Sequence, residues 1–195
     1  EPDEYGENRL VAFLKEGVDF DFTQLTRHVF SGSSCGLCGK ATIEAIMQGC
    51  PPLIGEVLSL DESVLLESLS QMERVQQAFK KTGGLHAAAL FSLEGELLVI
   101  REDVGRHNAV DKVIGHALRN GQALERSFLV VSGRLSFEIL QKALAARIPC
   151  LAAVSAPSSL AIDFAKGSGQ TLVGFLRPPS WNLYCEGLVK ITPRG

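Results

Sequence analysis

The sequence predicts a three-layer α/β domain with a mixed sheet, and three observations support this fold class. Short, wholly apolar segments alternate with segments of helical period through the second half of the chain. Apolar strands of this kind are typical of parallel sheets that helices cover on both faces. The turn sequence Glu94-Gly95 separates two apolar runs, so a hairpin adds one antiparallel strand. A 195-residue chain with 46% hydrophobic residues is also long enough to bury such a core without a disulfide or a metal ion.

We place this domain over residues 84–195, and its elements follow in chain order. The hairpin opens the domain, and each of the next two strands leads into a helix, before a final strand. The predicted strands span 87–91, 97–100, 128–131, 151–154 and 172–176, and the predicted helices span 107–119, 135–147 and 159–166. The apolar faces are formed by Val110, Val113, Ile114, Ala117 and Leu118 in the first helix, and by Ile139, Leu140, Ala143 and Leu144 in the second.

Residues 1–83 are expected to form a smaller amino-terminal lobe of helices and loops. Ser59 and Glu62 have capping-box spacing, and apolar residues then recur at helical intervals as far as Phe79. The pair Gly83-Gly84 is expected to end this helix. The remaining predicted elements are a short strand over 10–14 and a two-turn helix over 40–48.

Charge and cysteine content limit the class of protein. There are 19 Lys and Arg against 22 Asp and Glu, and the net charge of −3 argues against broad non-specific binding to nucleic acid or anionic membranes. No apolar stretch reaches the roughly 18 residues that span a bilayer. The five cysteines are an odd number, and no export signal is visible, so we expect a cytoplasmic protein. The chain does not begin with Met, and a further segment is expected before residue 1.

Polar turns follow three of the predicted strands. They are the segments 101–108, 132–134 and 155–159, and each leads into a helix whose first amide groups are unpaired. Ligands of parallel sheets bind beyond the carboxyl ends of the strands, so these turns, with Arg101, Arg106 and Arg134, predict an anion site. For any single turn, helix-capping serines and solvated arginines are the better explanation, and it is the three turns at one edge together that favour an anion site. Neither a dinucleotide fingerprint nor a P-loop spacing is present, which favours a nucleotide-like ligand without magnesium-centred hydrolysis.

Two pairs of residues lie four apart near the start of the first predicted helix. His107 and Asp111 share a helical face, and the carboxylate is a candidate for fixing the histidine tautomer. Asn108 and Lys112 form the second pair, for which an ordinary surface contact is the simpler interpretation.

The strongest local chemical signal is the sequence Cys35-Gly36-Leu37-Cys38. This spacing has three common interpretations: half of a zinc site, a dithiol redox pair, or a sulfur-carrying cysteine with a helper thiol. No second pair of closely spaced ligands is present, which weakens the zinc interpretation. For a carrier, the positive end of the predicted helix 40–48 and the side chain of Lys40 would favour the thiolate. The residues alone leave the redox pair and the carrier as alternatives.

Several motifs together resemble one family. They are Ser-Ser-Cys-Gly-Leu-Cys-Gly-Lys, Thr-Gly-Gly-Leu-His-Ala-Ala-Ala-Leu, Glu-Asp-Val-Gly-Arg-His-Asn-Ala-Val-Asp-Lys, Ser-Gly-Arg and Ala-Pro-Ser-Ser-Leu-Ala. In this order they resemble the formate dehydrogenase accessory sulfurtransferases, FdhD, over nearly the whole chain. The resemblance implies a cytidine-deaminase-like fold and a homodimer. It also implies that a cysteine desulfurase loads a persulfide on Cys35, assisted by Cys38. That sulfur then passes to the bis-molybdopterin guanine dinucleotide cofactor of formate dehydrogenase.

The resemblance also implies a cofactor-binding segment after the last predicted strand. This segment begins at Phe175, and its Pro178-Pro179 departs from the glycine expected there. Together with the polar turns, the candidate cofactor-binding residues are Phe175, Leu176, Arg177, Pro178, Pro179, Ser180, Arg106, His107, Ser132, Arg134 and Ser158. The zinc signature of deaminases is absent, because Pro149-Cys150 is followed by Leu151-Ala152-Ala153, so neither zinc nor deamination is expected.

Three functions therefore remain as hypotheses. The first is a sulfurtransferase that acts through a cysteine persulfide. The others are a thiol–disulfide oxidoreductase and a non-catalytic chaperone for a nucleotide cofactor. We expect no nucleic-acid or membrane partner.

Overall fold

The structure is a computed structural model, and it describes residues 13–18 and 50–193. The chain divides into two compact units, Glu1–Leu37 and Cys38–Gly195. The division therefore falls well before residue 83, and residues 50–83 belong to the unit that holds the sheet. In the smaller unit, the described residues 13–18 form only a turn. The predicted helix 40–48 and most of the predicted strand 10–14 lie outside the described residues.

The described part of the larger unit contains eight strands and five α-helices. The strands are β1 (Leu58–Asp61), β2 (His86–Ser92), β3 (Leu97–Asp103), β4 (Ser127–Val131), β5 (Cys150–Ala153), β6 (Thr171–Arg177), β7 (Ser180–Cys185) and β8 (Val189–Thr192). The helices are α1 (Glu62–Val75), α2 (Gln77–Thr82), α3 (Arg106–Arg119), α4 (Phe137–Ala145) and α5 (Ser159–Ser168). A short 3₁₀ turn, Leu124–Arg126, precedes β4.

Six strands form one mixed sheet in the order β3-β2-β4-β5-β6-β7. β4, β5 and β6 are parallel, whereas β2 is antiparallel to both of its neighbours and β7 is antiparallel to β6. β3 therefore runs in the same direction as β4. The prediction of a parallel core with one antiparallel strand from the opening hairpin is confirmed. In that hairpin, Gly95 has φ +95°, a conformation that glycine adopts without steric cost.

Helices cover both faces of this sheet, which confirms the three layers. On one face α3, α4 and α5 pack on alternate strand residues such as Leu129 and Leu151, and on the other face α1 packs on Phe91 and Phe128. These two rings stack with their centroids 5.3 Å apart. Because β4 and β5 are buried on both faces, every residue in them is apolar or small.

A second, two-stranded sheet corrects the predicted start of the first helix. β1 pairs in parallel with β8, and Ser59 lies within β1, where its hydroxyl contacts that of Thr192 at 3.2 Å. The helix cap is therefore Asp61, whose carboxylate accepts a hydrogen bond from the amide of Ser63 at 2.7 Å. The capping-box prediction was wrong because a strand partner more than 120 residues away holds Ser59 in an extended conformation.

Two further details of the helices differ from the predictions. The predicted helix ending near Phe79 is broken at Gln76, whose backbone is extended, and it continues as the separate helix α2. Gly83, with φ +67°, ends α2 as expected. In α3 the buried stripe contains Val110 and Val113, but Leu118 is exposed. The stripe is narrower than predicted because α3 covers the edge of the sheet and leaves its outer side to solvent.

The edge strand β3 is protected from pairing with another chain. The side chain of Arg101 donates to the carbonyl of Ile100 at 2.7 Å, and Lys112 donates to the carbonyl of Glu102 at 3.2 Å. Cationic side chains that occupy edge carbonyls are a common device against edge-to-edge association.

Candidate functional site

The carboxyl ends of β3, β4, β5 and β6 lie at the same edge of the sheet, as the sequence predicted. At this edge the β4–α4 and β5–α5 loops bind one another. The amide of Leu135 donates to the carbonyl of Ala156 at 3.3 Å, and the amide of Ser158 donates to the carbonyl of Leu135 at 2.9 Å. The amide of Phe175 at the end of β6 donates to the carbonyl of Ser155 at 3.2 Å. The polar turns are therefore parts of one framework.

Arg106, the first residue of α3, is the predicted site residue with the clearest unsatisfied group. Its Nε atom is buried and has no hydrogen-bond partner among the described residues. The side chain passes beside Gly133, since a Cβ atom at Gly133 would lie 3.5 Å from Cδ of Arg106 and 3.3 Å from Nδ1 of His86. The absence of a side chain at Gly133 thus leaves room for both His86 and Arg106. An unpaired buried donor of this kind is costly unless a ligand or water satisfies it.

Two of the three helix N-termini at this edge have no side-chain cap. Gly105 precedes α3, and Ser136 precedes α4 without donating or accepting a capping hydrogen bond. The hydroxyl of Ser136 is buried and unpartnered within the described part of the chain. By contrast, Ser158 caps α5 through the amide of Ala161 at 3.2 Å, so its oxygen is already engaged. The open N-termini of α3 and α4 are suited to an anion.

His107 lies beside these N-termini in a partly buried position. Burial lowers the pKa of His107 below its ordinary value, and the neighbouring guanidinium of Arg106 lowers it further, while Glu138 opposes this shift. The imidazole is therefore favoured in its neutral form. The hypothesis that Asp111 fixes its tautomer is not supported, because both carboxylate oxygens of Asp111 accept from Lys142 at 2.7 Å.

Asp103 organises the turn between β3 and α3. Its side chain accepts from Asn108 at 3.0 Å and from the amide of Gly105 at 2.8 Å, and it forms an ion pair with Lys112. The pKa of Asp103 is lowered to about 2, chiefly by the hydrogen bond from Lys112 and then by that from the amide of Gly105. Partial desolvation opposes this shift. Asn108 and Lys112, predicted as a surface pair, thus converge on one carboxylate.

Glu102 has a structural role that the sequence did not reveal. Its carboxylate accepts three hydrogen bonds from the first amides of α2, those of Gln77, Ala78 and Phe79, at 3.1, 2.9 and 2.7 Å. A negative charge at this position also complements the helix dipole. No local pattern could identify this cap, because Glu102 follows α2 by some twenty residues.

The predicted cofactor segment forms the end of β6 and the turn into β7. Phe175 has φ +51° and is partly exposed, whereas Leu176 is fully buried in the core. Arg177 lies over the ring of Phe175 at 6.0 Å and donates from Nε to the carbonyl of Val154 at 3.3 Å. Pro178-Pro179 forms the turn through a cis peptide bond. After this turn, Ser180 donates to the carbonyl of Arg177 at 3.2 Å.

The other predicted site residues are distributed less compactly. Ser132 accepts from the amide of Ala87 at 2.9 Å, and Arg134 is exposed on the loop that follows. Arg101, expected beside Arg106, instead contacts Nδ1 of His116 in α3 at 2.8 Å. That expectation was wrong because successive strand residues point to opposite faces, and this face of β3 is covered by α3.

Cys35 and Cys38 lie outside the described residues. Of the described cysteines, Cys150 is fully buried at the start of β5, and burial raises its pKa to about 12. Burial also raises the pKa of Cys185, with a partial opposing effect from Lys166. Among residues 13–18 and 50–193, no three His, Cys, Asp or Glu side chains form a group able to hold a metal ion. Nor does any helix in these ranges have the length and apolar character needed to cross a membrane.

Comparison with known proteins gives a consistent result. The sequence pattern of the FdhD/NarQ family matches residues 7–188. The chain is 54% identical over 171 residues to a protein named sulfur carrier protein FdhD from Streptomyces avermitilis, which covers 86% of this chain and 61% of that protein. It is 51% identical over 181 residues to the protein of the same name from Mycobacterium tuberculosis, covering 91% of this chain and 65% of that one.

A solved structure supports the fold. A candidate formate dehydrogenase accessory protein from Desulfotalea psychrophila superposes with a TM-score of 0.64 at 33% identity, covering 75% of this chain and 60% of that chain. The chain thus spans somewhat under two thirds of the length of the relatives it matches.

Proposed function

Because the chain belongs to the FdhD/NarQ family, we propose that it is a sulfurtransferase that matures formate dehydrogenase. A cysteine desulfurase loads a persulfide sulfur onto Cys35, with Cys38 as the helper thiol. The client is the bis-molybdopterin guanine dinucleotide cofactor, which receives the sulfur before it enters the dehydrogenase. We further propose that the protein is cytoplasmic and forms a homodimer.

The observation that carries this proposal is the anion site at the carboxyl edge of the sheet. The buried, unpartnered Nε of Arg106 lies at the start of α3, and α3 and α4 both have uncapped N-termini there. The buried hydroxyl of Ser136 adds a further unsatisfied group. These groups suit the phosphates of a guanine dinucleotide. Phosphates carry negative charge and accept hydrogen bonds, and the guanidinium and the free helix amides are donors. Neutral His107 adds a donor without additional charge.

The sulfur chemistry balances with the two loop thiols alone. The thiolate of Cys35 attacks the outer sulfur of the desulfurase persulfide, which forms a new S–S bond and releases the donor cysteine as a thiolate. The thiolate of Cys38 then attacks the Cys35 sulfur, which yields a Cys35–Cys38 disulfide and releases the outer sulfur as sulfide. Two thiol sulfurs are oxidised and one sulfane sulfur is reduced, so no further reductant is needed for release. A dithiol reductant must reduce the disulfide, by thiol–disulfide exchange, before the next cycle.

Chain length permits delivery to the edge of the sheet. Cys38 precedes Cys50 by 12 residues, which allows a reach of at most about 40 Å. The chain near Cys50 is fixed at the opposite edge, where the amide of Leu53 donates to the carbonyl of Ser168 at the end of α5 at 2.8 Å. The two ends of a seven-residue strand such as β6 are about 23 Å apart. The segment between Cys38 and Cys50 is therefore long enough to span the sheet along its strands, from their amino ends to their carboxyl ends.

Mass spectrometry after incubation with a cysteine desulfurase and cysteine tests the carrier step. We expect the Cys35–Cys38 peptide to gain one sulfur atom, and Cys35→Ala to abolish the gain. Cys185→Ala is the matched control and should load normally. A peptide that never gains sulfur, and that loses two hydrogens equally with and without the desulfurase, favours the oxidoreductase. If Cys35→Ala still supports formate dehydrogenase maturation, a non-catalytic chaperone replaces the proposal.

Calorimetry with a guanine nucleotide tests the anion site separately. Arg106→Ala should weaken binding at least tenfold, because a buried charge-assisted hydrogen bond is lost. Arg119→Ala, which removes an exposed arginine at the far end of the same helix, should leave binding unchanged. Equal affinities for the two variants would refute the placement of the phosphates at this edge.

A further inference from the structure

A groove of about 800 Å³ lies between the edge strand β3 and helix α3. Among the residues that line it are Arg101 of β3 and, from α3, Lys112, Gly115, His116 and Arg119. We call it the basic groove. Its four α3 residues recur at i, i+3, i+4 and i+7, so they share one face of the helix. Arg106 begins α3 and Arg119 ends it, about 20 Å further along the axis, so the basic groove is distinct from the anion site.

Two carboxylates border the basic groove, and protein groups already bind both. That of Glu102 accepts from the first amides of α2, and that of Asp103 pairs with Lys112. Arg119 is exposed and forms no hydrogen bond or ion pair with any residue in the ranges 13–18 and 50–193. The groove therefore presents positive charge on a chain whose net charge is −3.

Arg101 and His116 supply hydrogen-bond donors to this groove. Nη1 of Arg101 donates to the carbonyl of Ile100 at 2.7 Å, and Nη2 contacts Nδ1 of His116 at 2.8 Å. Because a guanidinium only donates, Nδ1 accepts in this contact and the ring proton lies on Nε2. That proton and the guanidinium of Arg119 are donors, and the planar guanidinium fork matches a carboxylate that accepts two hydrogen bonds.

Gly115 lies in the interior of α3 without a packing reason. Glycine is less favourable than alanine at such a position. A Cβ atom at Gly115 would meet nothing within 4 Å, so no neighbouring element requires that the side chain be absent. Its effect is instead on the basic groove, because the missing side chain leaves the floor between Lys112 and Arg119 open to an approaching chain.

We infer that the basic groove binds an acidic segment of a partner protein. Lys112 and Arg119 are about 10 Å apart along the helix axis, which is further than a single phosphate or carboxylate bridges. In an extended segment, side chains on one side recur about every 7 Å, so two acidic residues of such a segment can contact these cations together.

Two observations favour side-chain recognition of a protein over other modes of binding. None of the described residues that line the groove is Phe, Tyr or Trp, so it has no ring on which the bases of a single-stranded nucleic acid would stack. The carbonyls of Ile100 and Glu102 on the edge strand already accept from Arg101 and Lys112, which opposes the addition of a partner strand.

Fluorescence anisotropy with the full chain tests the inference. The probe is a labelled peptide of about eight residues in which Glu and Ala alternate, and the reference peptide carries Gln in place of Glu. We expect the acidic peptide to bind at least tenfold more tightly than the reference at low salt. Its affinity should fall as salt is added, because exposed charges are screened.

Arg119→Glu and Lys166→Glu form a matched pair of variants. Each reverses an exposed cation in the last turn of a helix, but α5 packs against β6 and β7, at the end of the sheet opposite β3. Arg119→Glu should weaken binding of the acidic peptide at least fivefold, whereas Lys166→Glu should change it little. Gly115→Leu should also weaken binding while leaving the urea midpoint at least as high as in wild type, because leucine is the better helix former.

Three results would overturn the inference. The first is equal affinity for the two peptides, and the second is an equal effect of Arg119→Glu and Lys166→Glu. The third is tighter binding of pyrophosphate or of a single-stranded oligonucleotide than of the acidic peptide, with the same dependence on Arg119, since the occupant is then a free anion or a nucleic acid.

Arg106→Ala separates this inference from the proposed function. It should leave binding of the acidic peptide unchanged, and Arg119→Glu should leave binding of a guanine nucleotide unchanged. If Arg106→Ala weakens peptide binding as much as Arg119→Glu does, the peptide binds at the anion site and the inference is wrong.

Discussion

The cap that Glu102 places on α2 gives the sharpest prediction about stability. Replacement by alanine removes three hydrogen bonds from a carboxylate to the amides of Gln77, Ala78 and Phe79. Hydrogen bonds to a charged acceptor each stabilise by about 1.5–3 kcal/mol when they are buried. Here most of the contact is exposed, and water can replace the carboxylate, so the measured range for helix N-caps, about 0.5–2 kcal/mol, applies.

We therefore expect Glu102→Ala to lower the free energy of unfolding by about 1–2 kcal/mol. For a chain of this length, that corresponds to a fall in Tm of roughly 2–8 °C. Urea unfolding followed by circular dichroism gives the free energy, and calorimetry gives Tm.

Two controls accompany this measurement. Glu102→Gln keeps an accepting oxygen and should retain part of the stability, whereas Glu94→Ala removes an exposed carboxylate from a turn and should change little. If Glu102→Ala unfolds at the same urea concentration as Glu94→Ala, the carboxylate does not hold α2 and the reasoning is refuted.

Three further predictions concern other parts of the larger unit. Because the pKa of Asp103 is lowered from 3.8 to about 2 by folding, its carboxylate adds stability that is complete above pH 3.8 and is lost as the pH falls towards 2. In acid unfolding curves over this range, wild type should therefore lose more stability than Asp103→Asn. Parallel curves for the two proteins would contradict this. Cys150 should resist alkylation at pH 8 in the folded protein and react in urea, as peptide mapping would reveal, because burial raises its pKa to about 12; rapid labelling of folded protein would count against that burial. Gly187→Ala should destabilise by about 1–3 kcal/mol, because a Cβ atom there collides with the carbonyl of Gly169, whereas Gly115→Ala should stabilise α3 by about 0.5–1 kcal/mol; urea midpoints that move the opposite way would refute both assignments.

Local patterns predicted the main sheet well because the signals for it are short in range. Strands buried on both faces require continuous apolar runs, and the helices between them require an apolar stripe, so β4, α4, β5 and α5 were all found within a few residues of their bounds. The hairpin of β2 and β3 was equally clear, since its turn contains a glycine at positive φ.

Elements that depend on distant partners were missed. β1 and β8 are short and only partly buried, and each is a strand because the other is present to pair with it. β7 has exposed and polar residues and pairs only with β6 at the edge of the sheet, so its sequence carries little strand pattern.

The candidate site shows the same division. The polar turns, the open N-termini and Arg106 follow from the order of strands and helices, because the carboxyl ends of parallel strands meet at one edge. The sequence could not indicate that Arg101 lies against His116 or that Asp111 binds Lys142, since both contacts depend on how α3 packs against its neighbours.

The sequence by itself determined the alternation of strands and helices, the polar edge that we propose as a binding site, and the paired cysteines that suggest thiol chemistry. These properties depend on neighbours within a few residues, where side-chain period and turn conformation are set by local sterics and hydrogen bonding. Only the tertiary structure decided which carboxylates cap helices and that, among the described arginines, Arg106 keeps a buried Nε without a partner. Those outcomes depend on atoms that are close in space and far apart along the chain.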